Sequence, residues 1–217
     1  MTREILLVPH ANREQNLQAT SRAAELLQDA GITVRVCADE KVLPGLKHVP
    51  HTEDAASGCE LVLVLGGDGT FLRAADMARS VDIPVLGINL GHVGFLAEWE
   101  VESLDQALVR VIDKRYRIED RLTIDVTIFD EEGTLLNRSW ALNEASVENQ
   151  NRSGVLDAIL EVDRRPVSSF GCDGVLISTP TGSTAYAFSA GGPVLWPSLD
   201  AILVVPNNAC LLYTSDA

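Results

Sequence analysis

The run Gly66-Gly67-Asp68-Gly69-Thr70 joins an apolar stretch, Leu61 to Leu65, to the helical-looking segment FLRAADMARS. Its glycines permit tight turns and let backbone N–H groups approach a phosphate with no side chain in the way. A strand before and a helix after put those donors at the carboxyl edge of a sheet, where ligands of open α/β folds bind. Asp68 decides what chemistry is possible there. A carboxylate set against bound phosphates is repelled, so it belongs beside a hydroxyl that must lose a proton, or beside a metal ion. The plainer reading is a turn in which Asp68 or Thr70 caps the helix.

A second constellation is Gly171-Cys172-Asp173-Gly174 followed by VLISTPTGSTAYAFSAGG. Here a short apolar strand, Val175 to Ile177, opens into a loop bearing Ser178, Thr179, Thr181, Ser183 and Thr184. Such hydroxyls can bond to phosphate, ribose or base edges. Gly182 relaxes the backbone, Tyr186 offers a flat apolar surface with a polar tip, and a helix from about Ala185 aims its N-terminus at the same place. Read plainly, this is a helix cap and a loop. Asn143-Glu144 is a third candidate, able to hold two ribose hydroxyls; taken alone, a place on a solvated strand face is the preferred reading. Asn89 and Gly91 close a further strand–helix unit and line the same cleft, and Phe95 packs either on a ligand or in the core.

The elements that must carry these residues alternate. Strands are expected at Glu4 to Pro9, Ile32 to Cys37, Leu61 to Leu65 and Ile83 to Ile88. Helices are expected from about Asn12 to Asp29, after the Gly-rich turn, and near Val101 to Ile112. Lys41 to Gly58, rich in Pro, Gly and His, reads as loop with a brief helix. Strands alternating with helices define an α/β layer, and the unbroken LVLVL run calls for burial on both faces of a parallel sheet. Near Tyr116 the pattern changes. Leu122, Ile124, Val126 and Ile128 alternate with polar residues, and further strands are expected at Ser139 to Glu148, Val155 to Val162 and Ala201 to Val205. A second, antiparallel domain is thus expected at 117–217, after an α/β domain at 1–116. The last strand would be left with few partners, so further strands are expected beyond it, and the residues from about Cys210 read as foreign to the natural protein.

Composition narrows the classes. The 217 residues are 46% hydrophobic with a net charge of −14, enough apolar content for a core and too acidic for a long nucleic-acid-binding patch. A phosphorylated small molecule remains compatible, since backbone N–H groups and a bound cation hold phosphates in acidic proteins. The longest apolar run, Ala201 to Pro206, is too short to span a bilayer and no cationic leader precedes it, so a cytoplasmic protein without membrane contact is expected. Cys37, Cys59, Cys172 and Cys210 are scattered, and with His10, His48, His51 and His92 they form no zinc pattern; no protein metal site is expected. No G-x-G-x-x-G opens a helix after the first strand, and no G-x-x-x-x-G-K-[ST] occurs, which argues against a dehydrogenase and a P-loop ATPase.

GGDGTFLRAAD at 66–76, INLGHVGFLAE at 88–98, ALNEASVE at 141–148 and GCDGVLISTPTGSTAYAFSAGGPVLWP at 171–197 together resemble NAD kinases of the actinobacterial type. The GGDGT turn alone is shared with diacylglycerol and sphingosine kinases and, more loosely, phosphofructokinases, so lipid or sugar phosphorylation is the alternative. The resemblance implies a Rossmann-like N-terminal domain and a β-rich C-terminal domain that phosphorylate the 2′-hydroxyl of the adenosine ribose of NAD. It implies ATP or inorganic polyphosphate as donor, a divalent cation such as magnesium, and a homodimer or homotetramer. By the same resemblance, Asp68 is the catalytic carboxylate and Asn143 and Glu144 the dinucleotide-binding pair. Thr184, Ala185, Tyr186 and Ser189 line the adenosine or nicotinamide subsites, and Asp173 reaches the dinucleotide, often from a neighbouring subunit. Two departures stand out: Gly171 replaces a phosphate-contacting Arg, and the family continues past the end of this chain. The second makes aggregation or poor folding the expectation, to be refuted by a cooperative thermal transition and a monodisperse profile.

Overall fold

The computed structural model describes residues 2–10, 14–37, 45–89, 96, 99–100, 103–149 and 155–209. Two compact units make up the chain, Met1–Ile118 and Glu119–Ala217.

The first unit is a parallel sheet of six strands: β1 (Glu4–Pro9), β2 (Thr33–Cys37), β3 (Lys47–Val49), β4 (Leu61–Leu65), β5 (Val85–Asn89) and β6 (Trp99–Glu100). Their order is β3-β2-β1-β4-β5-β6. Strand periodicity sends Ile5, Leu7, Leu61, Leu63 and Leu65 to one face, where they pack with Leu27 of α1 (Glu14–Asp29) and Leu108 of α3 (Leu104–Ile112). Leu6, Val8, Val62 and Val64 go to the other face, against Ala74, Met77 and Ala78 of α2 (Asp68–Arg79). The LVLVL strand is therefore buried along its whole length, as its composition demanded. Burying each such side chain is worth about 1.5–3 kcal/mol, which makes this sheet a rigid base for the loops at its carboxyl edge.

Two expectations need correcting here. Lys47–Val49 is a strand, paired with β2, inside the stretch expected as loop and brief helix; turns, not helix, follow it to Gly58. The helix after the Gly-rich turn begins at Asp68 itself, earlier than its apolar periodicity indicated.

The second unit is β-rich. A hairpin pairs β7 (Ile124–Phe129) with β8 (Leu135–Ala141), a second pairs β10 (Leu156–Val162) with β11 (Arg165–Cys172), and β12 (Gly174–Ser178) lies antiparallel between β9 (Glu144–Glu148) and β13 (Leu203–Asn207). The segment expected as one strand, Ser139 to Glu148, is broken at Leu142-Asn143, and its two parts join different sheets. β11 was not expected. The helix expected from Ala185 is a 3-10 turn at Thr181–Thr184 followed by a single α turn, α4 (Tyr186–Ser189). No helix among the described residues is long and apolar enough to cross a membrane.

Candidate active site

In the first unit, the chain winds outward from β1 to β3 in one direction and from β4 to β6 in the other. The order therefore reverses between β1 and β4, the position where open α/β sheets bind ligands outside the carboxyl ends of their strands. Gly66 is the first residue past β4 at this point, and its N–H donates to the Ile88 carbonyl at 3.0 Å. A Cβ on Gly66 would lie 2.7 Å from Thr70 Oγ1, so only glycine lets the buried Thr70 close the turn. Gly67 is the N-cap residue of α2, and no side chain caps the helix. The capping reading of Asp68 and Thr70 is thus overturned. Among the described residues, an added Cβ at Gly67 or Gly69 would meet nothing within 4 Å, and an uncapped helix N-terminus of this kind suits an anion.

Asp68, the first residue of α2, is held by its neighbours: Oδ1 accepts the Leu96 N–H at 3.1 Å. Asn89, buried at the end of β5, sits beside the turn through the adjacent Ile88–Gly66 bond. Arg73, one turn into α2, donates from Nη2 to the Pro9 carbonyl at 3.1 Å and so ties the helix to the end of β1. Gly91 and Phe95 lie outside the described residues.

In the second unit, the bend that separates β8 from β9 presents Asn143 and Glu144 beside the loop that follows β12. The two are pressed together: a Cβ on Gly182 would stand 2.1 Å from the Asn143 carbonyl oxygen, so the loop backbone needs glycine to lie there. Glu144 is partly buried, and burial pushes its carboxyl above the ordinary carboxylate range, opposed by the Tyr186 N–H that donates to it. Three buried side-chain atoms of this unit have no hydrogen-bond partner among the described residues: Asn143 Oδ1, Glu144 Oε2 and Thr181 Oγ1. Unpaired polar atoms of this kind cost about 1–3 kcal/mol each, and three on adjoining backbone segments are what a site awaiting hydroxyl and amide groups of a ligand looks like.

Asn143, Glu144, Thr181, Thr184, Ala185 and Tyr186 are therefore brought together, with Ser189 exposed at the end of α4. Asp173 is not among them. It precedes β12, whereas Glu144 pairs with Ser178 at the other end of that strand. Asp173 accepts from Asn208 Nδ2 at 2.9 Å, and Asn207 Nδ2 donates to the Tyr186 hydroxyl at 3.4 Å, so Tyr186 reaches from the Glu144 corner toward the Asp173 end. Of the hydroxyls in this loop that could have met a ligand, those of Ser178, Thr179 and Ser183 are fully buried and bonded within the protein. Local sequence does not distinguish a hydroxyl aimed at a ligand from one aimed at a carbonyl. The missed participants are Leu96, Asn207 and Asn208; of these only the Asn207-Asn208 pair, at the end of a strand, carried a signal of its own. Among the described residues no group of three or more His, Cys, Asp or Glu could hold a metal ion.

An uncapped Gly-rich turn bearing a carboxylate, at the reversal point of one unit, and an unsatisfied Asn-Glu corner in a β-rich unit, define a phosphotransferase acting on an alcohol group. Two family models match, the ATP-NAD kinase N-terminal domain over residues 5–116 and the ATP-NAD kinase C-terminal domain over residues 142–215. The chain belongs to the NAD kinase family. It is 67% identical over 220 residues to the NAD kinase of Corynebacterium efficiens, covering 98% of this chain and 69% of that protein. To that of Corynebacterium glutamicum it is 71% identical over 200 residues, 88% of this chain and 69% of the relative. Among solved structures it superposes on yeast NADH kinase complexed with NADH with a TM-score of 0.86 at 23% identity, covering 98% of this chain and 67% of the other, a likeness of fold. An NAD kinase from Archaeoglobus fulgidus in complex with ATP gives a TM-score of 0.66 at 26% identity, covering 96% and 73%.

Proposed function

We propose that the chain catalyses ATP-dependent phosphorylation of NAD to NADP, with Asp68 taking the proton of the adenosine ribose 2′-hydroxyl as the phosphoryl group is transferred. The observation that carries this reading is the placement of Asp68 on the first residue of an uncapped helix at the sheet's reversal point, its carboxylate fixed by the Leu96 N–H. Gly66, Gly67, Gly69 and Thr70 shape the cradle for the donor's phosphates, where backbone dipoles stabilise the charge that develops in transfer. A ribose hydroxyl is a weak nucleophile, so rate depends on orienting it and removing its proton in step with attack. Asn143, Glu144 and Thr181, with their unsatisfied atoms, hold the dinucleotide; Thr184, Ala185, Tyr186 and Ser189 line its base or nicotinamide ends. Asn89 and Phe95 complete the acceptor side, and Asp173 makes a further contact with the dinucleotide. The boundary near residue 117 separates the phosphate-binding domain from the dinucleotide-binding one.

Magnesium fits this donor set in one way only. With no group of three or more His, Cys, Asp or Glu able to hold a metal among the described residues, the ion would be held by the donor's phosphate oxygens and would neutralise phosphate charge. Polyphosphate as a second donor, a homo-oligomeric state and a cytoplasmic location complete the proposal. It is tested by following NADP formation from NAD with magnesium and either ATP or polyphosphate. Asp68→Asn should lower turnover roughly 100-fold or more with the fold retained. Near-normal turnover in that variant would remove the general-base role, and no NADP from the well-folded protein would remove the activity.

A further inference from the structure

Of the three unsatisfied atoms of the second unit, only Glu144 Oε2 belongs to a group held by a hydrogen bond, from the Tyr186 N–H, so the backbone that carries these residues does most to set their direction. That backbone converges on one side chain. Thr179 is fully buried just past β12; its N–H donates to the Asn143 carbonyl at 2.8 Å, and its Oγ1 donates to the Leu142 carbonyl at 2.5 Å. Both carbonyls at the β8–β9 bend are thus held by the same residue. In the other direction, Oγ1 accepts the Gly182 N–H at 3.0 Å, which fixes the peptide between Thr181 and Gly182. Gly182 in turn accepts the Ala185 N–H at 2.9 Å, one residue before the Tyr186 N–H that Glu144 receives.

We infer that Thr179 is a positioning residue for dinucleotide binding: its hydroxyl locks the Asn143-Glu144 bend to the turn that presents Thr181 and Tyr186. The inference rests on the assignment of this corner to NAD made above. Thr179 does not touch the ligand. It sets the angle between two strips of backbone whose side chains do, and a hydroxyl that both donates and accepts is the smallest group able to serve both strips. Valine has the same shape and neither capacity; serine keeps both.

The test compares Thr179→Val and Thr179→Ser with the unaltered chain, measuring KM for NAD and for ATP separately, calorimetric affinity for NAD, and hydrogen exchange at the Gly182 and Tyr186 amides. Thr179→Val should raise KM and the dissociation constant for NAD about tenfold, the equivalent of one lost hydrogen bond. KM for ATP should stay within about twofold, and the Tyr186 amide should lose protection together with Gly182. Thr179→Ser should restore NAD affinity to within about twofold. A Val variant of unchanged NAD affinity, or a Ser variant as weak as Val, overturns the inference; so does full protection of the Tyr186 amide in the Val variant. If the Val variant does not fold, Thr179→Cys, with its weak donor and acceptor, must lower NAD affinity several-fold, and unaltered affinity there overturns it. If the unaltered chain makes no NADP, the activity falls, while the exchange at Tyr186 still decides whether Thr179 couples the two strips.

Discussion

The two units hold their candidate site residues by different means. In the first, both faces of the sheet are packed, with Ile5, Leu7, Leu63 and Leu65 sealed on one side and Leu6, Val62 and Val64 on the other. In the second, the buried apolar cluster among the described residues is Leu176, Ala187 and Val205, while Ile159 is 70% and Trp196 83% exposed. The Gly-rich turn of the first unit inherits its position from strands that would be rigid without it. The Asn-Glu corner of the second is positioned by buried hydroxyls and by backbone pressed on backbone. Glycine consequently means two things in this molecule: open space at Gly67 and Gly69 among the described residues, and contact within the protein at Gly182.

This contrast can be broken by substitution. Leu63→Ala should cost about 4 kcal/mol of stability, as a cavity in a complete core does, and Leu176→Ala only about 2, because fewer neighbours lose contact; equal costs in thermal or denaturant unfolding would erase the distinction. Gly182→Ala should cost about 3 kcal/mol, since its Cβ cannot coexist with the Asn143 carbonyl, and should abolish NAD binding. Gly69→Ala, by contrast, should leave the melting temperature unchanged or raised, with helix propensity gained by about 0.5–1 kcal/mol, while raising KM for ATP. A Gly69→Ala enzyme with normal KM for ATP would deny the turn its phosphates.

Smaller effects sharpen the picture. Burial raises the Glu144 pKa in the folded protein, so the advantage of its neutral form is fully present below the ordinary carboxylate value and is lost as pH rises through the folded one. Glu144→Gln should therefore raise the melting temperature by a few degrees at neutral pH, and the gain should vanish near pH 4. A pH-independent gain would assign it to something other than ionisation. The least effect is expected at the tip of the β10–β11 hairpin, where Asp163 and Arg164 both adopt positive φ, 51° and 62°. Such turns favour glycine at the second position, and Arg164→Gly should stabilise by about 0.5–1 kcal/mol in thermal unfolding.

What the sequence disclosed follows the same division. The Leu61–Leu65 strand and the turn after it were legible because continuous burial leaves continuous apolar residues, and because a ligand cradle needs glycines in a run. β3 was not legible: it is three residues long, and Lys47 and His48 are exposed. β11 was hidden by Pro166 and two serines, acceptable because its hairpin pairs with no other strand among the described residues. The bend at Leu142-Asn143 carries neither glycine nor proline; its carbonyls are bonded by Thr179, distant in sequence, and the inward aim of the Ser178, Thr179 and Ser183 hydroxyls was illegible for the same reason. Their partners are the carbonyls of Leu142, Asn143 and Pro180, and nothing in their own neighbourhood announces them.

The pairing of β12 with β9 on one side and β13 on the other has a consequence in time. A ribosome delivers about 5–20 residues per second, and domains fold in the order they emerge. The strands of the six-stranded sheet all lie before residue 118, so this sheet can begin to close while the rest is still being made. The second unit cannot set its corner until β13, at 203–207, has arrived to cover β12. For several seconds of every synthesis the nascent chain therefore carries a formed Gly-rich turn and an unfinished strand edge, and that interval is when a chaperone would have most to hold.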